Sequence, residues 1–453
     1  MARATLKRRL FRTGIVLLCL SLPFFAWRLW LFWGVDYQLS RIRAAGLPTN
    51  GDELNQWYAH VPEGENAALI LTKAFELRRN YPDSRSNLVW NFKLPPRGQT
   101  LTPDQAELLA GYVDMNSAAL AMADEALKLP ASRYPIDCSM CSQTPLPHLT
   151  WLKHLVELNQ YKMELALIRG DTNAAARDIA SILGLARTIE NEPILISQLA
   201  RQKFVGMAVT SLERYVNSNF SAAEATNLPT LFAQTAQVQC LARAFIGERA
   251  MFAPYFRTSR YENPRIYAPL KPGEEDTKDV IRRTDWGMLK LIGYYEMDFA
   301  QFLFAMNKVI ILANQPPPEN LQVDKNFAGF AAASRKKKRN FSALIFSSLT
   351  GVAAREDESL ARLRVAATAL ALEHFRNQKG KLPDMLDDLI PAVIGEIPED
   401  PFTGDDVLYR RLPKGYVVYS VGRDRVDDGG KEEPVSRKAR GESTYDITFT
   451  VER

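Results

Sequence analysis

The longest apolar stretch of the chain covers residues 14–35, with the sequence GIVLLCLSLPFFAWRLWLFWGV. At 1.5 Å per helical residue, its 22 residues extend about 33 Å, enough to cross the hydrocarbon core of a bilayer. Pro23 and Arg28 interrupt the pattern, but the tryptophans near its C-terminal end are typical of a membrane interface. The pattern predicts an uncleaved transmembrane helix. A signal peptide is the alternative, and no small-x-small cleavage site follows to support it.

The residues before this stretch predict its orientation. Five cations and no acid precede it: Arg3, Lys7, Arg8, Arg9 and Arg12. By the positive-inside rule, residues 1–13 form a cytoplasmic tail and the bulk of the chain is periplasmic or otherwise extracytoplasmic. We therefore predict a single-pass protein of the inner membrane that contacts lipid through residues 14–35. The formal net charge is +5, so the chain beyond residue 12 is neutral, which argues against a nucleic-acid partner.

Helical periodicity dominates residues 36–354, where we predict an extracytoplasmic α-helical domain. The run 66–80 is amphipathic, and a Pro-rich loop follows it. Thr102, Pro103 and Gln105 form a capping-box pattern that predicts the start of a helix reaching about residue 129.

The most strongly helical region is residues 147–217. Gly170 is placed to end a first helix, and Asp171 is placed to cap a second one. The segment ALIRGDTNAAARDIASILGLA resembles one tetratricopeptide-like helix pair, but no second copy follows at a 34-residue period. We predict packed helix pairs rather than a repeat array. Further helices are predicted over residues 193–217, 235–255 and 295–314, with a polar surface excursion over 257–286.

The basic run RKKKR at 335–339 precedes an apolar stretch of about fourteen residues. This pattern favours a solvated loop before a buried helix, because the stretch is too short to span a bilayer. Contact with an anionic membrane surface is the alternative.

The region 355–453 has a different pattern. Apolar residues at helical spacing predict one long helix, ended by Gly380 and Pro383. The segments VLYRR, GYVVYSVG and YDITFTV then predict a three-stranded antiparallel sheet. The predicted fold class is therefore mainly α, with an N-terminal transmembrane helix, a body of packed helix pairs and a small α+β C-terminal domain.

In this region the succession ALALEHF, GKLP, PEDPFTG, GYVVYSVGRD, DDGG and YDI resembles the globular domain of the major pseudopilin of type II secretion systems. The resemblance implies a calcium ion held by the Val421 carbonyl, Asp424 and an acid of the pair Asp427 and Asp428, with Asp446 at the family's terminal Asp-Ile. Four acids near one Gly-rich loop also suit calcium, which takes six to eight oxygen ligands. The alternative is an Asp-Gly turn whose exposed acids are neutralised by neighbouring cations.

The N-terminal pattern departs from that of a pseudopilin. A pseudopilin has a Glu at the fifth position after the processed Gly, whereas Ile-Val-Leu-Leu-Cys follows Gly14. The resemblance therefore implies a borrowed small domain rather than a filament subunit.

Of the four cysteines, only Cys138 and Cys141 are neighbours. In an oxidising compartment this Cys-Ser-Met-Cys pair is interpreted as a small disulfide. A CxxC redox site and a zinc site with His148 and His154 are the alternatives, but the surrounding prolines and the histidine spacing favour neither.

No nucleophile motif or phosphate-binding loop accompanies the histidines His60, His148, His154 and His374. The sequence therefore favours a membrane-anchored scaffold or interaction protein with an unknown protein partner over an enzyme. An extracytoplasmic hydrolase with an unrecognised active site and a secretion-apparatus component are the alternatives.

Overall fold

A computed structural model describes residues 2–218, 227–258, 287–434 and 445–452. The surface excursion predicted over 257–286 lies, from residue 259 onward, outside these ranges. The first nine helices are α1 (Ala2–Ala44), α2 (Gly51–Trp57), α3 (Ala67–Glu76), α4 (Arg85–Trp90), α5 (Pro103–Met115), α6 (Ser117–Ala126), α7 (Pro147–Ile168), α8 (Thr172–Arg187) and α9 (Leu195–Asn217). Later helices in the described ranges include α10 (Leu228–Ala236), α11 (Leu241–Phe252), α12 (Tyr294–Ala313), α13 (Gln322–Lys336), α14 (Asn340–Leu349) and α15 (Val352–Lys379).

The described residues also form three strands: β1 (Leu408–Leu412), β2 (Gly415–Ser420) and β3 (Ile447–Glu452). They form one antiparallel sheet in the order β1-β2-β3, with Leu412 opposite Gly415 and Gly415 opposite Glu452. The predictions of a mainly helical chain and of a three-stranded antiparallel sheet are confirmed.

Local capping signals place several of the helices. The Thr102 hydroxyl accepts from the Gln105 N–H, and the Gln105 side chain accepts from the Thr102 N–H, as predicted. Gly170 takes a left-handed φ of +73°, and the Asp171 carboxylate caps α8 by accepting from an N–H of its first turn.

The helix predicted to run from Thr102 to about residue 129 is instead two helices, α5 and α6, that meet at Asn116. This side chain is fully buried and exchanges two hydrogen bonds with the backbone of Arg79, of 2.9 and 3.1 Å. A third bond, of 2.9 Å, joins it to the Tyr112 carbonyl. Contacts with the loop at Arg79 therefore end α5. The sequence pattern predicted one helix because helical periodicity depends only on nearby residues.

Residues 14–35 lie within α1, and the structure corrects their interpretation. Among the described residues, no helix combines the length and the apolar character that crossing a bilayer requires. The predicted transmembrane helix is therefore wrong. The fold class is wrong in that part, and so is the localisation as a single-pass inner-membrane protein with a periplasmic bulk.

The physical reason lies in the polar residues and packing of α1. Pro23 lies inside the helix, and the Arg28 guanidinium donates to Glu296 of α12 at 2.6 Å. Further along the helix, Val35 and Leu39 are buried against the protein. Other large apolar side chains of α1, including the three tryptophans Trp27, Trp30 and Trp33, are exposed.

Two hydrophobic clusters organise the interior. One joins helices α3 and α5–α10 to α15 and the inner face of the sheet. The other joins the C-terminal part of α1 to α11–α14. The basic run 335–339 was predicted as a solvated loop before a buried helix; in the structure its first two residues, Arg335 and Lys336, end α13, and Phe346 of the following helix α14 is buried while Leu344 is exposed.

Strand β3 forms an outer edge of the sheet, and α9 covers it. The Glu213 carboxylate accepts from the Thr450 N–H at 2.8 Å. The Asn217 amide donates to the Thr450 carbonyl at 2.9 Å and accepts from the Glu452 N–H at 2.8 Å. Side chains of the helical body thus satisfy backbone groups that an edge strand otherwise presents to solvent.

Candidate functional site

A groove of about 1220 Å³ lies between α10, the middle of α15 and the segment 387–399. We call it the α10–α15 groove. Its floor is apolar and includes Leu370 and Ala371 of α15. The segment 387–399 contributes Ile390, Val393 and Ile394 to the opposite wall. The groove therefore offers a long apolar surface bounded by two helices and one irregular segment.

Carboxylates surround this apolar floor. Four acids line the groove: Asp387, Glu396, Glu399 and Asp406. Arg364 also lines it, but this guanidinium donates to the Glu399 carbonyl at 2.6 Å, and burial lowers its pKa. The lining residues therefore carry an excess of negative charge.

His374 also lines the groove, but it has no catalytic geometry. Its side chain is exposed on α15. Its Nε2 lies 2.7 Å from the Gln378 amide nitrogen, one turn further along α15. Neither an acid nor a nucleophile orients the ring, so His374 is not set up as a general base.

A second histidine, His148, lies in a buried polar cluster. Its Nε2 lies 3.0 and 3.2 Å from the two carboxylate oxygens of Glu192, which is fully buried. The Ser197 hydroxyl donates to the same carboxylate, and Tyr134 stacks on the imidazole with ring centroids 4.3 Å apart. Because serine and histidine both bond the acid, the cluster lacks the serine-to-histidine contact of a hydrolase triad.

The two neighbouring cysteines lie in the short helical turn Cys138–Gln143. Both thiols are free and buried. Burial raises the pKa of Cys138 and of Cys141 to about 12, so neither is a thiolate at neutral pH. The structure therefore gives no support to the disulfide interpretation, and the protonated thiols disfavour redox chemistry.

The two histidines of the zinc alternative each have a carboxylate partner. His148 bonds Glu192, and His154 Nδ1 lies 3.4 Å from Glu157. Across the ranges covered by the structure, no three His, Cys, Asp or Glu side chains converge as a metal site.

The acids predicted as calcium ligands occupy a loop with several left-handed glycines. Asp446 is buried, and its carboxylate accepts from the N–H groups of Asp428 at 3.4 Å and Gly430 at 2.7 Å. Burial raises the pKa of Asp446, and these backbone hydrogen bonds oppose the rise. Oδ2 of Asp428 is buried and has no hydrogen-bond partner.

The other predicted ligands have local roles in the same loop. Asp424 accepts from the Val426 N–H at 3.2 Å, and Asp427 accepts from the Gly429 N–H at 2.8 Å. The Val421 N–H donates to Asp400 at 2.8 Å. The loop therefore brings Asp428 and Asp446 together, while Asp424 and Asp427 are exposed and stabilise turns.

Sequence reasoning missed the α10–α15 groove because its walls come from segments more than a hundred residues apart. One signal was present in the segment DLIPAVIGEIPED, where isoleucine and valine alternate with acids and prolines. No family model, curated protein sequence or solved structure matches this chain.

Proposed function

We propose that this chain is an interaction protein whose α10–α15 groove binds an extended segment of a partner protein that is rich in basic and apolar residues. The observation that carries the proposal is an apolar floor edged by four carboxylates in a groove of about 1220 Å³. Lysine or arginine side chains would meet the acidic rim, and apolar side chains would cover Leu370 and Ile390.

The size and chemistry of the groove support a peptide rather than a small substrate. Pockets for small ligands have volumes of about 300–1,000 Å³, and this groove exceeds that range. Its lining residues include His374 but neither a serine nor a cysteine, and the histidine lacks an orienting acid. These observations favour a binding role over a hydrolytic one.

Binding of a model peptide tests the proposal. We expect a fluorescein-labelled decapeptide of alternating lysine and leucine to bind the full chain saturably, as measured by fluorescence anisotropy. The double variant Glu396→Lys, Glu399→Lys should weaken this binding by about tenfold or more, because like charges then face each other across the interface. Higher salt should also weaken binding by the wild type.

Two matched controls distinguish groove binding from general charge attraction. Glu63→Lys with Glu107→Lys makes the same change of charge at exposed positions outside the groove, and it should bind the peptide like the wild type. A decapeptide of alternating lysine and serine should bind weakly, because it lacks apolar side chains for the floor. Equal binding by both double variants would contradict the proposal.

We also propose that the loop 421–430 with Asp446 binds a stabilising calcium ion. The support is the buried, unpartnered Oδ2 of Asp428 beside the Asp446 carboxylate. Calcium at about a hundred times its dissociation constant should stabilise the full chain by about 2.7 kcal/mol. Thermal unfolding should show a higher Tm with calcium, and Asp428→Asn should remove the increase.

The control for the calcium experiment is Asp405→Asn, which changes an exposed acid outside this loop. This variant should keep the full calcium response. A wild-type Tm that does not change in millimolar calcium would exclude the ion from this loop.

A further inference from the structure

Helix α1 has two apolar faces between residues 22 and 42, and one of them is packed against the protein. Leu31, Val35, Leu39 and Ile42 recur at helical spacing and are each 7% exposed or less. They lie on the side of the helix that faces α12. The other face consists of six residues that recur at helical spacing on the opposite side: Leu22, Phe25, Leu29, Trp30, Trp33 and Tyr37. We call this set the outer face of α1.

The outer face is the core of a large exposed apolar surface. Its six side chains are between 47% and 64% exposed. In the segment that leads into α12, Met288, Leu291 and Ile292 are between 51% and 64% exposed. This segment lies beside α1, because a Cβ added at Gly293 would lie 2.5 Å from the Leu31 side chain. Together these side chains expose an area on the order of 1,000 Å², whereas the largest apolar patch of a typical monomer is roughly 300–600 Å². Such a surface marks a contact with another apolar body.

The distribution of exposed residues along α1 identifies that body. Residues 22–27 are consecutive, and all six are exposed. Successive residues of a helix point about 100° apart, so these residues point in every direction around the axis. One folded partner covers one side of a helix, whereas the acyl chains of lipids surround it. This distribution therefore favours lipid over a second copy of the chain.

The charges on both sides of the outer face are basic. The first turns of α1 carry five cations, and the first acid of the chain is Asp36. The basic run 335–339, of which residues 335–338 are exposed, lies beside the first turn of α12. There the Tyr294 hydroxyl donates to the Lys338 carbonyl at 2.5 Å, and Glu296 accepts from Arg28 of α1 at 2.6 Å. Cations next to exposed aromatic residues suit the headgroups of anionic lipids.

We infer that the outer face of α1 inserts into one leaflet of an anionic lipid membrane, as an interfacial helix that lies along the surface without crossing it. Tryptophan and tyrosine are the residues typical of that depth. The basic run 335–339 and the cations of the first turns of α1 contact the headgroups. The surface lies outside the α10–α15 groove, so the inference does not depend on peptide binding there.

Flotation of the full chain with lipid vesicles tests the inference. We expect the protein to bind vesicles of phosphatidylcholine mixed with phosphatidylserine. The double variant Trp30→Gln, Trp33→Gln should bind them about tenfold more weakly or less, a loss that corresponds to about 1.4 kcal/mol or more. Both side chains are exposed, so the variant keeps the packed face of α1 and should unfold at the Tm of the wild type.

The matched control is Leu88→Gln with Trp90→Gln, which removes two exposed apolar side chains from α4. This control should bind the mixed vesicles like the wild type. Equal binding by the two double variants, or no vesicle binding by the wild type, would overturn the inference.

A second pair of variants tests the role of charge. Lys336→Glu with Lys337→Glu should weaken binding to the mixed vesicles and should have little effect on the weaker binding to pure phosphatidylcholine. Lys379→Glu with Lys381→Glu makes the same change of charge at exposed positions at the end of α15 and should bind like the wild type. The same loss in both pairs would contradict headgroup contact by the basic run.

Two further measurements distinguish a shallow helix from the other arrangements. Lipids brominated at the headgroup end of the acyl chain should quench tryptophan emission more strongly than lipids brominated at its methyl end, and Trp30→Gln with Trp33→Gln should remove much of this quenching. Stronger quenching from the methyl end would overturn the interfacial placement. Sedimentation velocity without lipid detects pairing of two copies. A dimer that the tryptophan variant dissociates, together with no vesicle binding, would assign the outer face to a second copy and overturn the inference.

Discussion

Replacing Arg214 by methionine should lower the free energy of unfolding by about 3–5 kcal/mol, because it leaves a buried carboxylate without its partner. Arg214 of α9 forms a two-point ion pair with Glu164 of α7, and both side chains are buried. Its guanidinium also donates to the carbonyls of Pro95, Pro96 and Gln99, at 2.8, 3.0 and 3.1 Å. The variant therefore loses the ion pair and the attachment of this loop to the helices.

Urea unfolding of the full chain measures this effect. Arg85→Met is the matched control, because Arg85 pairs with Asp83 at the exposed surface, where solvent screens the pair, so its loss should change the free energy of unfolding far less. Adding Glu164→Gln to Arg214→Met should recover part of the loss, since the uncompensated charge is then removed. A loss for Arg214→Met as small as that for Arg85→Met would show that the pair contributes little to stability.

Replacing Glu248 by glutamine should stabilise the protein at pH 8 by about 3 kcal/mol and have little effect at pH 4.5. Burial raises the pKa of Glu248 from 4.5 to about 7, although its carboxylate accepts from the Leu195 N–H at 3.0 Å. The unfolded chain therefore releases the proton at lower pH than the folded chain does. The contribution of Glu248 to the free energy of unfolding is therefore fully present below pH 4.5 and is lost as the pH rises through 7.

Glutamine keeps the shape of the protonated acid and can still accept from the Leu195 N–H. The variant should therefore lose less stability than the wild type between pH 4.5 and pH 8. Chemical unfolding at several pH values gives the slope of the free energy of unfolding against pH, and this slope is compared between Glu248→Gln and the wild type. Glu107→Gln, at an exposed position on α5, should retain the slope of the wild type. Identical slopes for Glu248→Gln and the wild type would contradict the assignment of this pH dependence to Glu248.

Local signals in the sequence predicted much of the secondary structure. The Thr102 capping box, Gly170 and Gly380 mark helix ends where the neighbouring residues alone decide the backbone conformation. The three strands followed from alternating apolar residues in short segments separated by turns. These features depend on residues that are close together in the chain, which is why the pattern reveals them.

The errors arise where distant residues decide the outcome. The hydropathy of residues 14–35 gives no information about the ion pair between Arg28 and Glu296, which lies 268 residues away. The helical periodicity after Thr102 gives no information about the contact of Asn116 with Arg79, at which the helix ends. The α10–α15 groove escaped prediction for the same reason, since it is assembled from several separated elements.

The covering of β3 by α9 limits how this protein can associate with other chains. An incoming strand that paired with β3 would first have to displace the hydrogen bonds of Glu213 and Asn217. At the opposite edge, β1 is only five residues long and presents the exposed Arg410 and Arg411. The sheet is thus protected on both sides against growth by strand addition, which guards against edge-to-edge aggregation.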